Sequence, residues 1–368
     1  MTTIILAFSI LILLITLANV LFWPRVRPSR QPGPPVVSVL IPARDEELNL
    51  PECLARVREQ GGVVGEILVY DDHSTDGTAR VVETFRALDQ RIRLVPAQQL
   101  PPGWTGKNFA CSRLAEAASL QYLLFLDADA RLQPGAIDSI LQEMKTRRLE
   151  FLSCWPGLIT ATFWEHLLMP MLNFVVFSIY PGPLSLFFAY PSLALAHGAC
   201  MMFDRSSYVA IGGHRAVRDQ IFEDTRLAQL WRQRGSRGLC LDGQRVVRVR
   251  MYENFAGIWN GFLKNFYPAF ERQYNFWLFV AFHLLVMLGP FVLLLRAGKE
   301  MAIGAGAVIT SRLLLALRFN QPRATVLLHP LAEVIMLCLG ITSWWKCRTG
   351  RGVSWKDRTY HKSESPTD

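Results

Sequence analysis

Apolar and polar positions alternate along this chain on three different scales. Residues 4–23 are apolar almost throughout, carry no charge, and form a run long enough to cross a bilayer. Arg25, Arg27 and Arg30 follow directly, no basic residue precedes the run, and no small-x-small cleavage site follows it. The pattern predicts an uncleaved anchor over residues 1–24, followed by a Pro-rich linker at 25–35 and a domain on the cytoplasmic side. From residue 36 the period shortens. Apolar or β-branched runs at 36–41, 66–70, 91–96 and 122–126 predict strands, and amphipathic stretches at 45–60, 76–88 and 107–120 predict helices, with another opening at Pro134. Strands separated by helices predict an α/β domain with a parallel sheet covered on both faces.

The third scale begins at residues 167–196, which hold no charge. Pro170, Pro181, Pro183 and Pro191 cut this stretch into pieces too short to span, so it reads as an apolar insert (161–196) lying in the membrane interface or as a re-entrant hairpin. Phe174, Phe177, Tyr180, Phe187, Phe188 and Tyr190 are its aromatic anchors. The α/β domain is therefore expected over 36–250, amphipathic interfacial helices over 251–275, a transmembrane region over 276–345 and a basic cytoplasmic tail over 346–368. Within the transmembrane region, 276–295 and 324–345 read as spans. The shorter, Gly-rich 301–317 reads as re-entrant or interfacial, because three spans would leave the basic tail outside. Glu333 falls in mid-span and needs a partner, for which Arg312 is the candidate.

Composition sharpens this picture. The chain has 368 residues, 19% of them charged, with mean hydropathy +0.21, which fits a soluble domain joined to membrane segments. The net charge of +9 arises from 39 basic and 30 acidic residues. Many basic residues flank apolar runs, which points to an anionic membrane surface or a phosphate ligand rather than nucleic acid. Seven cysteines without a C-x-x-C pattern point to a reduced, cytosolic domain.

Acidic residues gather where predicted strands stop. Tyr122-Leu-Leu-Phe-Leu-Asp-Ala-Asp-Ala130 ends an apolar run in two carboxylates spaced i, i+2, expected on one face at the strand's carboxyl end. Open α/β sheets bind ligands at that edge. Paired carboxylates there call for a cation, and a divalent ion carrying a diphosphate suits hard oxygen donors. Asp71 and Asp72 end the second strand in the same way, and Asp72 is placed to accept from a base or ribose. Asp76 reads as a helix N-cap. Arg44, Asp45 and Glu46 end the first strand, while Glu47 complements a helix N-terminus. Lys107 opens a helix, where a cation is unfavourable unless an anion lies nearby. Glu223-Asp224 reads as an acidic pair at a helix start. His197 could reach an acceptor, or be structural.

Taken together, Pro42-Ala-Arg-Asp-Glu46, Asp71-Asp72-x-Ser-x-Asp76-x-Thr78, Lys107, Asp127-x-Asp129 and Glu223-Asp224 after a Gly-Gly pair resemble the family 2 glycosyltransferases of GT-A fold. The resemblance covers roughly residues 36–250. It implies a Rossmann-like nucleotide-sugar domain and a UDP-sugar donor bound by Pro42, Arg44, Glu46, Asp72, Lys107 and Asp127. It also implies Mg²⁺ or Mn²⁺ on Asp129, and Asp224 as general base; an unaided Asp is a weak base near pH 7, and burial beside Glu223 would raise its pKa. Inversion at the anomeric carbon follows from backside attack. The Q/R-x-x-R-W motif of processive members is missing. That region reads Trp259-Asn-Gly-Phe-Leu-Lys-Asn-Phe-Tyr267, where Trp259 and Lys264 could substitute on the acceptor side. Transfer of one sugar to a lipid-like acceptor at the inner membrane is therefore expected. Gly-Trp-Thr-Gly-Lys-Asn108 and Trp355-Lys-x-Arg-x-Tyr360 are similar to the bacterial subgroup acting on carotenoid acids or beside hopanoid synthesis. The alternatives are a ceramide- or hopanoid-type lipid glycosyltransferase, a nucleotidyl- or phosphoglycosyltransferase using the same acids, and a non-catalytic nucleotide-sugar binding partner.

Overall fold

The computed structural model describes residues 1–29, 33–270, 272–349, 353–355 and 358–360. Arg30 and most of the expected basic tail lie outside these residues. In chain order the helices are α1 (Thr2–Phe22), α2 (Leu50–Arg58), α3 (Thr78–Leu88), α4 (Gly106–Ala117), α5 (Ala136–Arg147), α6 (Phe163–Phe177), α7 (Arg205–Ile211), α8 (Glu223–Gln233), α9 (Phe255–Asn265), α10 (Gln273–Phe282), α11 (Gly289–Arg318) and α12 (His329–Arg348). The strands are β1 (Val37–Ala43), β2 (Val64–Asp71), β3 (Ile92–Val95), β4 (Tyr122–Leu126), β5 (Ala130–Leu132), β6 (Phe151–Trp155), β7 (Gly157–Leu158), β8 (Cys200–Asp204), β9 (Gly238–Asp242), β10 (Val247–Val249), β11 (Val353–Trp355) and β12 (Arg358–Tyr360). The chain divides into an α/β unit (23–159 and 184–250) and a helical unit (1–22, 160–183 and 251–368).

The α/β unit is built on a seven-stranded sheet of order β3-β2-β1-β4-β8-β6-β9. β1, β2, β3 and β4 run parallel, as do β6 and β9. β8 runs antiparallel to both β4 and β6, so the sheet is mixed rather than parallel throughout. Its central strands are apolar and buried along their length, as a sheet covered on both faces requires. A second sheet, β5-β10-β7, begins just past β4.

Several sequence boundaries shift for identifiable reasons. The helix expected over 45–60 is only Leu50–Arg58: Asp45 sits at φ 51, and Pro51 occupies the first turn of α2. Residues 45–47 instead form a loop stitched to the β2–α3 loop. Asp45 N donates to Ser74 Oγ (2.9 Å), Glu46 N to Thr78 Oγ1 (2.8 Å) and Glu47 N to Asp76 Oδ2 (3.0 Å). Gly77, not Asp76, is the N-cap of α3, although Asp76 Oδ1 still accepts from Thr78 N at 2.9 Å. Helix α5 starts at Ala136 after a left-handed Gly135, two residues beyond Pro134.

Among the described residues of the helical unit, four helices are long and apolar enough to cross a membrane: Thr2–Phe22, Gln273–Leu294, Gly298–Arg318 and Ala324–Arg348. The stretch expected as re-entrant is thus part of a full-length helix, set off from what precedes it by Gly298 at φ 56. Pro170 does not break α6. The His166 carbonyl that a proline at 170 cannot serve accepts from Thr325 Oγ1 at 3.0 Å instead, which keeps the helix intact. The expected insert over 161–196 is divided between the units at Pro183/Leu184. The hydrogen bond of Glu333 goes to His283 rather than Arg312, with Oε1 2.5 Å from Nδ1. Arg312 Nη1 donates to Pro170 O at 3.1 Å.

Asn19, inconspicuous in the apolar run, is buried and holds the end of α6. Its Nδ2 donates to Phe177 O and Tyr180 O at 2.7 Å each, and its Oδ1 accepts from Gly182 N at 2.8 Å. Leaving buried acceptors without their donor is expensive. Asn19→Leu is therefore expected to destabilise the chain by about 3 kcal/mol. Thermal unfolding measures this, and an unchanged midpoint would contradict the role given to Asn19.

Candidate active site

The carboxyl ends of β1, β2, β4 and β6 share one edge of the large sheet, and the reversed β8 brings its amino end to the same edge, with Leu126 paired to Cys200. Asp127 and Asp129 follow β4 but do not continue it. They lie in the turn leading into β5, closed by Ala130 N donating to Asp127 O at 3.0 Å. The Asp-x-Asp spacing is therefore a turn geometry, not the alternation of a strand face. Asp127 N donates to Ala199 O at 3.1 Å, tying this turn to the segment before β8.

Lys107 stands in the first turn of α4, which is capped by Thr105 Oγ1 accepting from Asn108 N. Its ammonium joins two acids from distant parts of the chain: Nζ lies 2.9 Å from Asp127 Oδ1 and 2.9 Å from Glu223 Oε1. Asn108, next in sequence, fixes the relation between α4 and the segment leading to α8. Its Nδ2 donates to Val217 O (2.6 Å) and Gln220 O (2.9 Å). Glu223 and Asp224 open α8, where the helix N-terminus favours acids. Both oxygens of Asp224 are held by backbone amides, Oδ2 by Gly198 N at 2.9 Å and Oδ1 by Thr225 N at 2.6 Å.

Burial and the crowding of acids together set the protonation states. Burial, then the charges of Asp127 and Glu46, push the Asp129 carboxyl up to about 7, with Lys107 and Arg131 opposing. Burial and Glu223 push Asp224 up to about 7, against Lys107 and the two amides. Burial alone would lower Lys107, but Asp127 and Glu223 outweigh it and hold the ammonium well above its ordinary value. Burial pulls His197 down to about 4, so its ring is neutral near pH 7. His197 Nδ1 accepts from Ala199 N at 3.2 Å, and the ring meets Trp155 edge-on with centroids 5.2 Å apart.

Lys107, Asp127, Glu223, Asp224 and His197 thus come together, with Asp129 and Glu46 within electrostatic reach. Pro42, near the end of β1, and Arg44 and Asp72, directly after the ends of β1 and β2, lie along the same edge. Arg44 Nη1 donates to Asp72 O at 2.8 Å, and Asp72 is 5% exposed. Trp259 and Lys264 belong to α9 of the helical unit, where Trp259 packs on Phe255 with centroids 5.7 Å apart. Sequence reading missed Arg131, Asn108, Gly198 and Trp155. Arg131, only 8% exposed and paired with Glu52 at 2.8 Å, follows the Asp-x-Asp turn so closely that a basic residue there was the available signal.

Among the described residues, no group of three or more His, Cys, Asp or Glu side chains could hold a metal ion by itself. Asp127 and Asp129 nevertheless suit one. They are hard oxygen donors, and the Asp129 carboxyl is pushed up by burial and then by the charges of Asp127 and Glu46, the part that a cation would relieve. Any further ligands would have to come from a bound phosphate or water.

Comparisons with known proteins agree with this architecture. Residues 38–212 match the family described as Glycosyl transferase family 2. A 4,4'-diaponeurosporenoate glycosyltransferase of Staphylococcus haemolyticus (strain JCSC1435) is 29% identical over 219 residues, 59% of this chain and 57% of that protein. The chain thus matches little more than half of that relative's length. The protein of the same name from Staphylococcus aureus (strain USA300) is 25% identical over 346 residues, 89% of each chain. Among solved structures, the mannosyltransferase PcManGT from Pyrobaculum calidifontis, in complex with GDP-Man and Mn²⁺, is similar with a TM-score of 0.51 at 17% identity. That match covers 93% of this chain and 98% of that one, and it bears on fold alone. Residues 38–212 thus form a family 2 glycosyl transferase domain, which holds most of the mixed sheet of GT-A type and of its acid-lined strand edge, with Glu223, Asp224 and β9 following it in the chain.

Proposed function

We propose that this protein transfers one sugar from a UDP-sugar to a carotenoid acid or related terpenoid at the cytoplasmic face of the inner membrane, with inversion at the anomeric carbon. The observation that carries this reading is the Lys107 ammonium joining Asp127 of the Asp-x-Asp turn to Glu223 beside Asp224. A diphosphate leaving group, a cation and an acceptor oxygen all have matching partners within that small volume. The relatives' names supply the acceptor class, a polyene carboxylate. Four helices of membrane length support a site of action at the bilayer. Here 301–317 counts as part of a spanning helix.

Each residue has a distinct task. Arg44 and Asp72, at the tips of β1 and β2, receive the nucleotide, with Pro42 and Glu46 beside them. Asp129, with Asp127 nearby, holds Mg²⁺ or Mn²⁺, which supplies charge stabilisation to the departing diphosphate. Lys107 adds a second positive charge for the same purpose. Asp224 accepts the acceptor's proton. An acid arriving from apolar surroundings keeps its proton, because burial raises a carboxyl pKa. Asp224, pushed up to about 7, is basic enough to take it near neutral pH. His197, Trp259 and Lys264 serve the acceptor side.

Replacing Asp129 with Asn should lower transfer by about 100-fold or more and weaken Mn²⁺ binding, followed by electron paramagnetic resonance titration of the purified chain. Wild-type Mn²⁺ affinity in that variant would remove Asp129 from the metal site. For Asp224 the sign is set by the active form. The ionised carboxylate works, so kcat/KM should fall as pH drops through about 7. Measured at saturating Mn²⁺, where the ion displaces the Asp129 proton, that limb belongs to Asp224. Asp224→Asn should cost about 100-fold or more and abolish the limb. An active variant with the limb intact would show that another group takes the proton.

A further inference from the structure

We propose that Gly198 is a positioning residue for glycosyl transfer. Its amide orients the Asp224 carboxylate, and its missing side chain leaves the space in which the Lys107 ammonium spans Asp127 and Glu223. The inference rests on the role given above to Asp224.

Gly198 lies in the turn before β8, and its backbone is not in the left-handed region that favours glycine. Backbone conformation therefore gives no reason for a glycine here, which leaves space as the reason. A Cβ on Gly198 would stand 3.1 Å from Lys107 Nζ, 3.4 Å from Glu223 Oε1 and 3.6 Å from Asp224 Oδ2. The three nearest atoms are all functional atoms of the site. The glycine cannot retreat, because both neighbours are pinned. His197 N donates to Ser153 Oγ at 2.8 Å, Ser153 Oγ donates to His197 O at 3.1 Å, and Ala199 O accepts from Asp127 N. The atom most able to yield is the far end of the flexible Lys107 side chain. A methyl group at 198 therefore displaces the ammonium, while leaving the sheet and the Gly198 amide in place.

The test is a double-mutant cycle on the full chain, using a UDP-hexose and 4,4'-diaponeurosporenoate. Gly198→Ala is expected to lower kcat by about 10- to 100-fold, with the KM for the nucleotide sugar within about threefold of wild type. In a Lys107→Ala background the crowded contact is gone, so the same substitution should cost less than about threefold in single-turnover rate. Wild-type kcat in Gly198→Ala, or an undiminished loss in the Lys107→Ala background, would overturn the proposal. If Gly198→Ala alone does not fold, recovery of folding in the double variant supports the crowding, and failure of both overturns it. The fate of Asp224→Asn tests the base assignment separately, because the coupling between Gly198 and Lys107 remains measurable whichever group takes the proton.

Discussion

One ammonium stands among five acids at the edge of the sheet, and the geometry of the site depends on it. Asp127, Asp129, Glu46, Glu223 and Asp224 come from three separate stretches of chain and act on one another electrostatically. Two unit charges 4 Å apart in partly buried surroundings repel by about 4 kcal/mol. The strand tips alone would push such acids apart or protonate them. Lys107 offsets part of that repulsion by pairing with one acid from each side. The N-terminus of α8 and the amides of Gly198 and Thr225 offset more. The acids remain close, and two of them remain poised near neutrality.

The reversed strand makes this possible. Had β8 run parallel to β4, its carboxyl end would meet this edge, and the 197–199 segment would lie at the far end of the sheet. Because it runs antiparallel, Cys200 pairs with Leu126 and the preceding residues meet the Asp-x-Asp turn directly. One short segment then carries out several tasks. Ala199 O receives the Asp127 amide, Gly198 N serves Asp224, and the His197 ring packs on Trp155. Asn108 performs the matching task on the other side, holding α4 to the segment before α8 so that Lys107 and Glu223 meet.

What could be read in the sequence follows from the range over which each signal acts. The bounds of β4 and the presence of a helix around Lys107 were legible, because apolar runs and helical periodicity are local, although that helix starts at Gly106 and ends at Ala117 rather than 120. The direction of β8 was not: Cys-Met-Met-Phe is equally apolar in either orientation, and only its pairing partners decide. The position of the Asp-x-Asp pair at the sheet edge was legible, but its conformation was not, since a turn and a strand end share the same i, i+2 spacing. Residues 45–47 looked like the first turn of a helix because acids favour that place. Their amides instead bond to Ser74, Thr78 and Asp76, thirty residues on, which no local pattern announces. The choice of His283 over Arg312 as hydrogen-bond partner of Glu333 likewise depends on contacts between helices.

The two carboxyls pushed to about 7 share burial as the larger cause and differ in the acids that add to it, and that difference separates their chemistry. Beyond burial, Asp129 is raised by Asp127 of its own turn and by Glu46 of the β1 loop, so a cation arriving between them offsets that part of the shift and favours the ionised form. Asp224 is raised by burial and by Glu223, and a cation at the Asp-x-Asp turn removes neither of these, so it changes Asp224 less. In the proposed reaction, binding of the metal and diphosphate would therefore fix the charge of the first acid while leaving the second free to accept a proton. One crowded edge can then hold a permanent anion and a titrating base side by side, because the lysine stands between the sources of their charge.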